Sequence, residues 1–106
     1  MKIRSLRPEF FADGRMAQLS PMARILYMGL WCIADDEGRG RYQPKSIEGE
    51  VFPHEDVDIR GLLGELVDMG RIVTYQVGAE SYFHIPRFTD HQHPNRKVDS
   101  RLPPPP

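Results

Sequence analysis

The sequence is poor in cysteine, in long apolar runs and in net charge, and each shortage excludes a class of protein. The single cysteine, Cys32, excludes an internal disulfide framework and a zinc site made of several thiolates. The longest apolar-rich run, residues 25–34, falls well short of the ~20 residues that cross a bilayer. The N-terminal segment lacks the apolar core of a signal peptide. We therefore expect a cytoplasmic protein, because cysteine-poor chains are typical of reducing compartments.

Motifs that carry chemistry are also missing. The 106 residues allow one small domain, and they contain no glycine-rich phosphate loop. Cys32 lies in an apolar run without a neighbouring base, and His91 and His93 lack a third ligand at a fixed spacing. We therefore expect a protein that is not an enzyme, with no cofactor, no metal and no small-molecule substrate.

The net charge of −1 is the sum of two basic ends and an acidic middle. Residues 1–34 hold five basic and two acidic side chains, residues 35–68 four and ten, and residues 69–106 five and three. A uniformly cationic protein, held on nucleic acid by bulk charge alone, is excluded. A basic surface on one part of the molecule remains compatible with the sequence.

Helix signals dominate the first two thirds of the chain. The pattern predicts three main helices, over residues 20–35, 44–51 and 57–69, with a short extended segment between the first two. Ser20 followed by Pro21 is a strong start signal for the first helix, since serine caps the N-terminus and proline fits the first turn. A short helix over residues 15–19 is expected before it, and Phe10 and Phe11 are predicted to cap the core from an N-terminal arm.

A β-hairpin is predicted after the third helix. Residues 72–77 are rich in β-branched and aromatic side chains, with Val73, Tyr75 and Val77 on one face, and residues 81–85 return after a short turn. Apolar content then collapses, and four prolines end the chain. Residues 87–106 are therefore predicted to be a proline-rich arm or linker that finishes as polyproline II.

This order predicts an α+β, mostly helical fold of the winged helix-turn-helix class. Three main helices precede a C-terminal two-stranded hairpin, the wing, and extended arms lie at both ends. The expected division is an arm and short helix at 1–19, a winged-helix domain at 20–86 and a proline-rich arm at 87–106. In such modules the second helix of the helix-turn-helix enters the DNA major groove.

The third predicted helix, which should contact DNA bases, has few side chains suited to that contact. Its predicted outward positions are Arg60, Gly61, Gly64, Glu65 and Asp68. Only Arg60 suits contact with a base or a phosphate, and the acids repel phosphate. The two glycines either allow close approach of a DNA or protein backbone, or lie where a neighbouring element crowds the helix.

The better basic residues lie in the two arms and around the turn into the second helix. The residues predicted to contact DNA, mainly through phosphates, are Lys2, Arg4, Arg39, Arg41, Lys45, Arg60, Arg96 and Lys97. An alternative for Arg39 and Arg41 is pairing with the acidic run at residues 35–37, which would reduce this basic set.

Several short words of the sequence resemble the N-terminal helix-turn-helix domain of actinobacteriophage and prophage proteins of the replication-initiation or replisome-organiser type. The words are IRSLRPEFF at residues 3–11, LSPMAR at 19–24, GLW at 29–31, ADDEGRGR at 34–41, FHIP at 83–86, HQ at 91–92, NR at 95–96 and SRLPP at 100–104. The resemblance implies a winged-helix domain in a bacterial host cell, with a role in phage DNA replication or transcription regulation. In such proteins a variable region often follows, so a short family member or a trimmed piece is expected.

The sequence is therefore compatible with two functions. The first is a DNA-binding protein whose partner is double-stranded DNA. The alternative is a protein-interaction module that forms a homodimer or binds a phage or host replication protein through its acidic middle helices, without binding DNA itself.

Overall fold

Five α-helices and three strands follow one another in the computed structural model, which describes all residues from 1 to 106. The helices are α1 (Glu9–Ala12), α2 (Pro21–Ile33), α3 (Pro44–Val51), α4 (Ile59–Asp68) and α5 (Phe88–His91), and the strands are β1 (Arg39–Arg41), β2 (Val73–Val77) and β3 (Glu80–His84). A 3₁₀ turn over Met16–Gln18 precedes α2. The three main helices and the hairpin predicted from the sequence are confirmed, and the short helix expected over residues 15–19 is present as the 3₁₀ turn. Neither α1 nor α5 coincides with a predicted helix.

The central helix α2 begins at the predicted signal. The Ser20 hydroxyl accepts a hydrogen bond from the Ala23 backbone N–H at 3.2 Å, and Pro21 occupies the first helical position. Ala23, Leu26 and Leu30 are fully buried, and α2 packs mainly against α4. A single core of 15 buried residues results, to which all the longer helices and the sheet contribute.

The sheet is antiparallel, with strand order β1-β3-β2. Gly40 lies opposite Phe83 in the register, and Phe83 lies opposite Thr74. Phe83 is completely buried, and its ring occupies the space that a side chain at residue 40 would need. Because residue 40 is glycine, β1 can lie directly over the core. The next residues in the register, Arg41, Tyr82 and Tyr75, face away from the core.

The two ends of the chain differ from the predicted arms. Phe11 does not cap the core, because it is 72% exposed, whereas Phe10 packs against the buried cluster. Phe88 is a core residue although it stands among polar residues in the sequence, because α5 carries it onto Gly38. Gln92 ties the segment after α5 to the other end, since its side chain exchanges hydrogen bonds with the Ser5 backbone N–H and C=O.

None of the helices combines the length and the apolar character that a membrane crossing requires.

Candidate nucleic-acid interface

The candidate interface is the outer face of α4, together with the start of α3, which packs beside it. Ile59, Leu63 and Leu66 bury the inner face of α4. The outer face, on the opposite side of the helix axis, carries Arg60, Gly61, Gly64, Val67 and Asp68. No other element of the chain covers this strip at Gly64, where an added Cβ would meet no atom within 4 Å.

The two glycines of this face have different reasons for being there. Gly61 donates its backbone N–H to the Asp58 carboxylate at 3.1 Å, and that carboxylate occupies the space a side chain at residue 61 would need. Gly64 has open space around it, so crowding by a neighbouring element does not explain the glycine. An open glycine leaves the helix backbone accessible to a close partner.

Glu65 does not face outward as the spacing predicts. Its carboxylate accepts hydrogen bonds from both the backbone N–H and the hydroxyl of Ser20, each at 2.8 Å. These contacts place the negative charge at the N-terminus of α2, where the helix dipole favours it. Glu65 therefore joins α4 to α2 and repels phosphate less than an exposed acid would.

Of the eight cations predicted to contact DNA, three are exposed and form no ion pair within the chain. Lys45 lies in the first turn of α3, Arg60 in the first turn of α4, and Arg96 in the segment after α5. Only Lys45 and Arg60 lie on the two helices of the candidate interface. Their side chains are free to meet phosphates without first breaking an internal contact.

Three others converge on the acidic turn, defined here as Asp35, Asp36 and Glu37. The Asp36 carboxylate accepts from Lys2 Nζ at 3.1 Å and from Arg4 at 2.9 Å. Lys97 pairs with Glu37, and this hydrogen-bonded pairing raises the pKa of the Lys97 ammonium. The structure therefore brings Lys2, Arg4 and Lys97 together, but around acids rather than on an open basic surface.

Arg4 also closes the C-terminal end of α2. Its side chain is 4% exposed, and it donates to the backbone carbonyls of Trp31 at 2.9 Å and Ala34 at 2.8 Å. The Lys2 backbone N–H donates to the Cys32 carbonyl at 2.8 Å. Carbonyls at a helix end lack partners within the helix, so the N-terminal segment satisfies them.

Asp36 is the buried centre of this arrangement. Its residue surface is 2% exposed, and its second carboxylate oxygen accepts from the Val98 backbone N–H at 2.8 Å. That hydrogen bond, with those from Arg4 and Lys2, lowers the pKa of Asp36 to about 2 in spite of the opposing effect of burial. The sequence gives no signal for this site, because Asp36 is 32 residues from Arg4 and 62 from Val98.

Arg39 and Arg41 lie on β1 and do not form ion pairs with the acidic turn. The Arg39 guanidinium donates to the Leu102 carbonyl at 3.2 Å, whereas only its backbone N–H bonds to the Asp35 carboxylate. Arg41 lies 3.8 Å from Glu80, and both side chains are about half exposed. The Arg41 side chain therefore forms only a long, exposed ion pair, whereas the Arg39 side chain is hydrogen-bonded to the C-terminal segment.

A cavity of about 190 Å³ lies beside α2, between the N-terminal segment and α5. Phe10, Trp31 and Tyr27 form its aromatic wall through two edge-to-face contacts. Burial raises the pKa of the Tyr27 hydroxyl, although Arg71 opposes the effect. Trp31 and Tyr27 are only half-buried. Aromatic side chains at the centre of a core would be fully enclosed.

No group of three or more histidine, cysteine, aspartate or glutamate side chains is placed to hold a metal ion. No family model matches the chain, and neither the curated proteins nor the solved structures hold a significant match to it.

Proposed function

We propose that the chain is a non-enzymatic, double-stranded-DNA-binding protein of the winged-helix type, acting in phage DNA replication or transcription regulation. The element order supports the winged-helix part of the proposal: α2, β1, α3, α4 and then the β2–β3 hairpin, with β1 paired to the returning strand. In this arrangement α4 is the recognition helix and the hairpin is the wing. The seven-residue connection between α3 and α4 is longer than the usual turn of three or four residues.

The observation that carries the proposal is the uncovered outer face of α4. Its Gly64 strip is open, and the unpaired cation Arg60 lies in its first turn, where recognition helices contact bases. Lys45 adds a second free cation on the adjacent helix α3. A small helix face with cations at its N-terminal end suits the negatively charged walls of a groove.

The same geometry implies weak binding. Lys2, Arg4 and Lys97 are engaged with the acidic turn, and the wing carries no basic residue between Gly78 and Ser81. With about two phosphates neutralised by Lys45 and Arg60, the logarithm of affinity should fall with the logarithm of salt concentration with a slope of about −2. We expect micromolar or weaker affinity for duplex DNA at low salt. Fluorescence anisotropy with a labelled duplex measures both quantities, and no detectable binding at low salt would reject the proposal.

Exposed acids around α4 favour a second candidate, a protein-interaction module. They are Glu50, Glu55, Asp56, Asp58 and Asp68. They would face a basic partner such as a replication protein, or α4 would form a homodimer contact. Asp68 is the cleaner residue to reverse, because changing Glu65 would also remove the partner of Ser20.

The substitution Asp68→Lys separates the two candidates. DNA binding predicts several-fold tighter binding at low salt, because a repulsive charge next to the groove is replaced by an attractive one. A module that binds a basic partner through its acids predicts unchanged DNA behaviour and weakened partner binding. Sedimentation of the wild-type chain at tens of micromolar tests the homodimer.

A further inference from the structure

The outer face of the sheet holds two tyrosines that are buried without belonging to the core. Tyr75 and Tyr82 face each other in the β2–β3 register, with ring centroids 5.5 Å apart and an interplanar angle of 28°. Tyr75 is 9% exposed and Tyr82 is 7% exposed, yet neither is part of the buried core cluster. Something other than the core must therefore cover them.

The proline-rich C-terminal segment reaches this face of the sheet at Tyr75. The Tyr75 hydroxyl donates to the Pro103 carbonyl at 2.7 Å, and the Arg39 guanidinium donates to the neighbouring Leu102 carbonyl at 3.2 Å. Ser100 guides the segment there, since its hydroxyl donates to Asp35 and accepts from the Leu102 backbone N–H at 3.1 Å. Two consecutive carbonyls are thus received by two side-chain donors of the sheet.

This arrangement has the chemistry of polyproline recognition. Proline has no backbone N–H, so a proline-rich strand offers carbonyl acceptors and ring surfaces, and binding grooves for it combine aromatic rings with side-chain donors. Arg41 extends the row, because it lies opposite Tyr82 in the β1–β3 register with its guanidinium 5.9 Å from the ring centroid. Half-burial alternates along the segment, as Pro103 and Pro105 are partly buried while Pro104 and Pro106 are exposed.

We propose that the Tyr75–Tyr82 face of the sheet, with Arg39 as second donor, is a binding site for polyproline II segments. In the free protein the chain's own residues 102–106 occupy it, and the proline-rich segment of a partner protein takes their place. Burial raises the pKa of the Tyr75 hydroxyl further above the physiological pH range, where it is protonated and can donate. The site lies on the sheet and not on α4, so it is independent of the proposed DNA interface.

The test uses the full chain with an altered tail: Pro103→Gly, Pro104→Ser, Pro105→Gly and Pro106→Ser. This variant keeps the length but loses the preference for polyproline II. It is titrated by NMR with an acetylated peptide of sequence SRLPPPP, and with the same peptide carrying glycine and serine in place of the prolines. The tethered wild-type tail competes at an effective concentration in the millimolar range. We expect the proline peptide to bind the tail variant at least tenfold more tightly than wild type and to shift the Tyr75 and Tyr82 ring signals.

Tyr75→Phe in the tail-variant background should weaken peptide binding three- to tenfold, because it removes the hydroxyl that donates to the Pro103 carbonyl. Tyr42→Phe is the matched control and should leave binding unchanged, because Tyr42 packs against the core cluster. In the otherwise wild-type chain, Tyr75→Phe should speed hydrogen exchange at the Leu102 amide three- to tenfold, a readout that does not depend on the tail variant. Equal binding of the two peptides, equal affinity of the two chains, or unshifted tyrosine signals at saturation would overturn the proposal. A wild-type dimer that the tail variant abolishes would overturn it in favour of tail exchange between two copies.

Discussion

At the scale of single residues, Asp36 decides which cations are available to a partner. Its carboxylate binds Lys2 and Arg4 and anchors the backbone at Val98, so both ends of the chain meet at one buried charge. Composition shows that acids and bases are nearly equal in number, but it does not show which of them pair. Two residues predicted to contact DNA, Lys2 and Arg4, therefore form internal contacts, and no local pattern distinguishes them from Lys45 or Arg60.

Asp36→Asn should destabilise the protein by about 2 to 3 kcal/mol, because it leaves the Arg4 charge buried without its charged partner. The matched control is Asp90→Asn, whose partner Arg87 is 77% exposed, and it should cost at most about 0.5 kcal/mol. Urea unfolding measures both free energies. Equal losses in the two variants would show that the Asp36 network does not stabilise the fold.

Acid should weaken the fold through the same carboxylate. The folded-state pKa of Asp36 is lowered from 3.8 to about 2, so its contribution to stability is complete above pH 4 and is lost as the pH falls from about 4 to about 2. The loss should be about 1 to 2 kcal/mol, less than the full shift implies, because solvent screens the Lys2 side of the pair. Unfolding free energies across this range in wild type and in Asp36→Asn isolate the effect. An equally steep acid limb in the variant would assign it to other carboxylates.

At the scale of elements, the sequence predicts the helices and the hairpin well because their signals are local. Ser20-Pro21 begins α2, and a glycine follows α4, as the capping rules require. The contact from Glu65 to Ser20 spans 45 residues, and the cover over Tyr75 comes from a segment 28 residues away. Such pairs depend on tertiary packing, so spacing alone misassigned Glu65 to the exposed face.

The Glu65–Ser20 contact should behave as one unit in a double-mutant cycle. Ser20→Ala and Glu65→Ala should each cost about 1 to 2 kcal/mol, and the double variant should cost clearly less than their sum, since each removes the same hydrogen bond. Glu50→Ala, an exposed acid on α3, is the control for a general charge effect. Strictly additive losses would mean that the contact carries no free energy of its own.

Gly64 and Gly49 form a matched pair of open glycines, on α4 and α3 respectively. Alanine at either position should stabilise the fold by about 0.5 to 1 kcal/mol, because alanine favours the helix and meets no atom. If DNA approaches the α4 backbone closely, Gly64→Ala should also weaken DNA binding several-fold, while Gly49→Ala should leave it unchanged. Identical DNA affinities for the two variants would remove Gly64 from the interface.

At the scale of the whole molecule, both ends of the chain pack against the single core and the sheet. The predicted arms instead contribute Phe88 to the core and Arg4 to the acidic turn. This packing leaves fewer basic residues available to a partner than the sequence predicts, because Lys2, Arg4 and Lys97 contact the acidic turn. The near-neutral net charge therefore describes a protein in which Lys2, Arg4 and Lys97 are paired internally, whereas Lys45 and Arg60 are open on α3 and α4.

The most direct test of this account is the salt dependence of duplex binding in two matched variants. Lys45→Ala combined with Arg60→Ala should remove most of the affinity and reduce the salt slope by about 2, because each free cation neutralises about one phosphate. Lys97→Ala should leave the slope unchanged, since Lys97 is paired with Glu37. A slope that drops in Lys97→Ala but persists without Lys45 and Arg60 would contradict the account and place the DNA at the acidic turn.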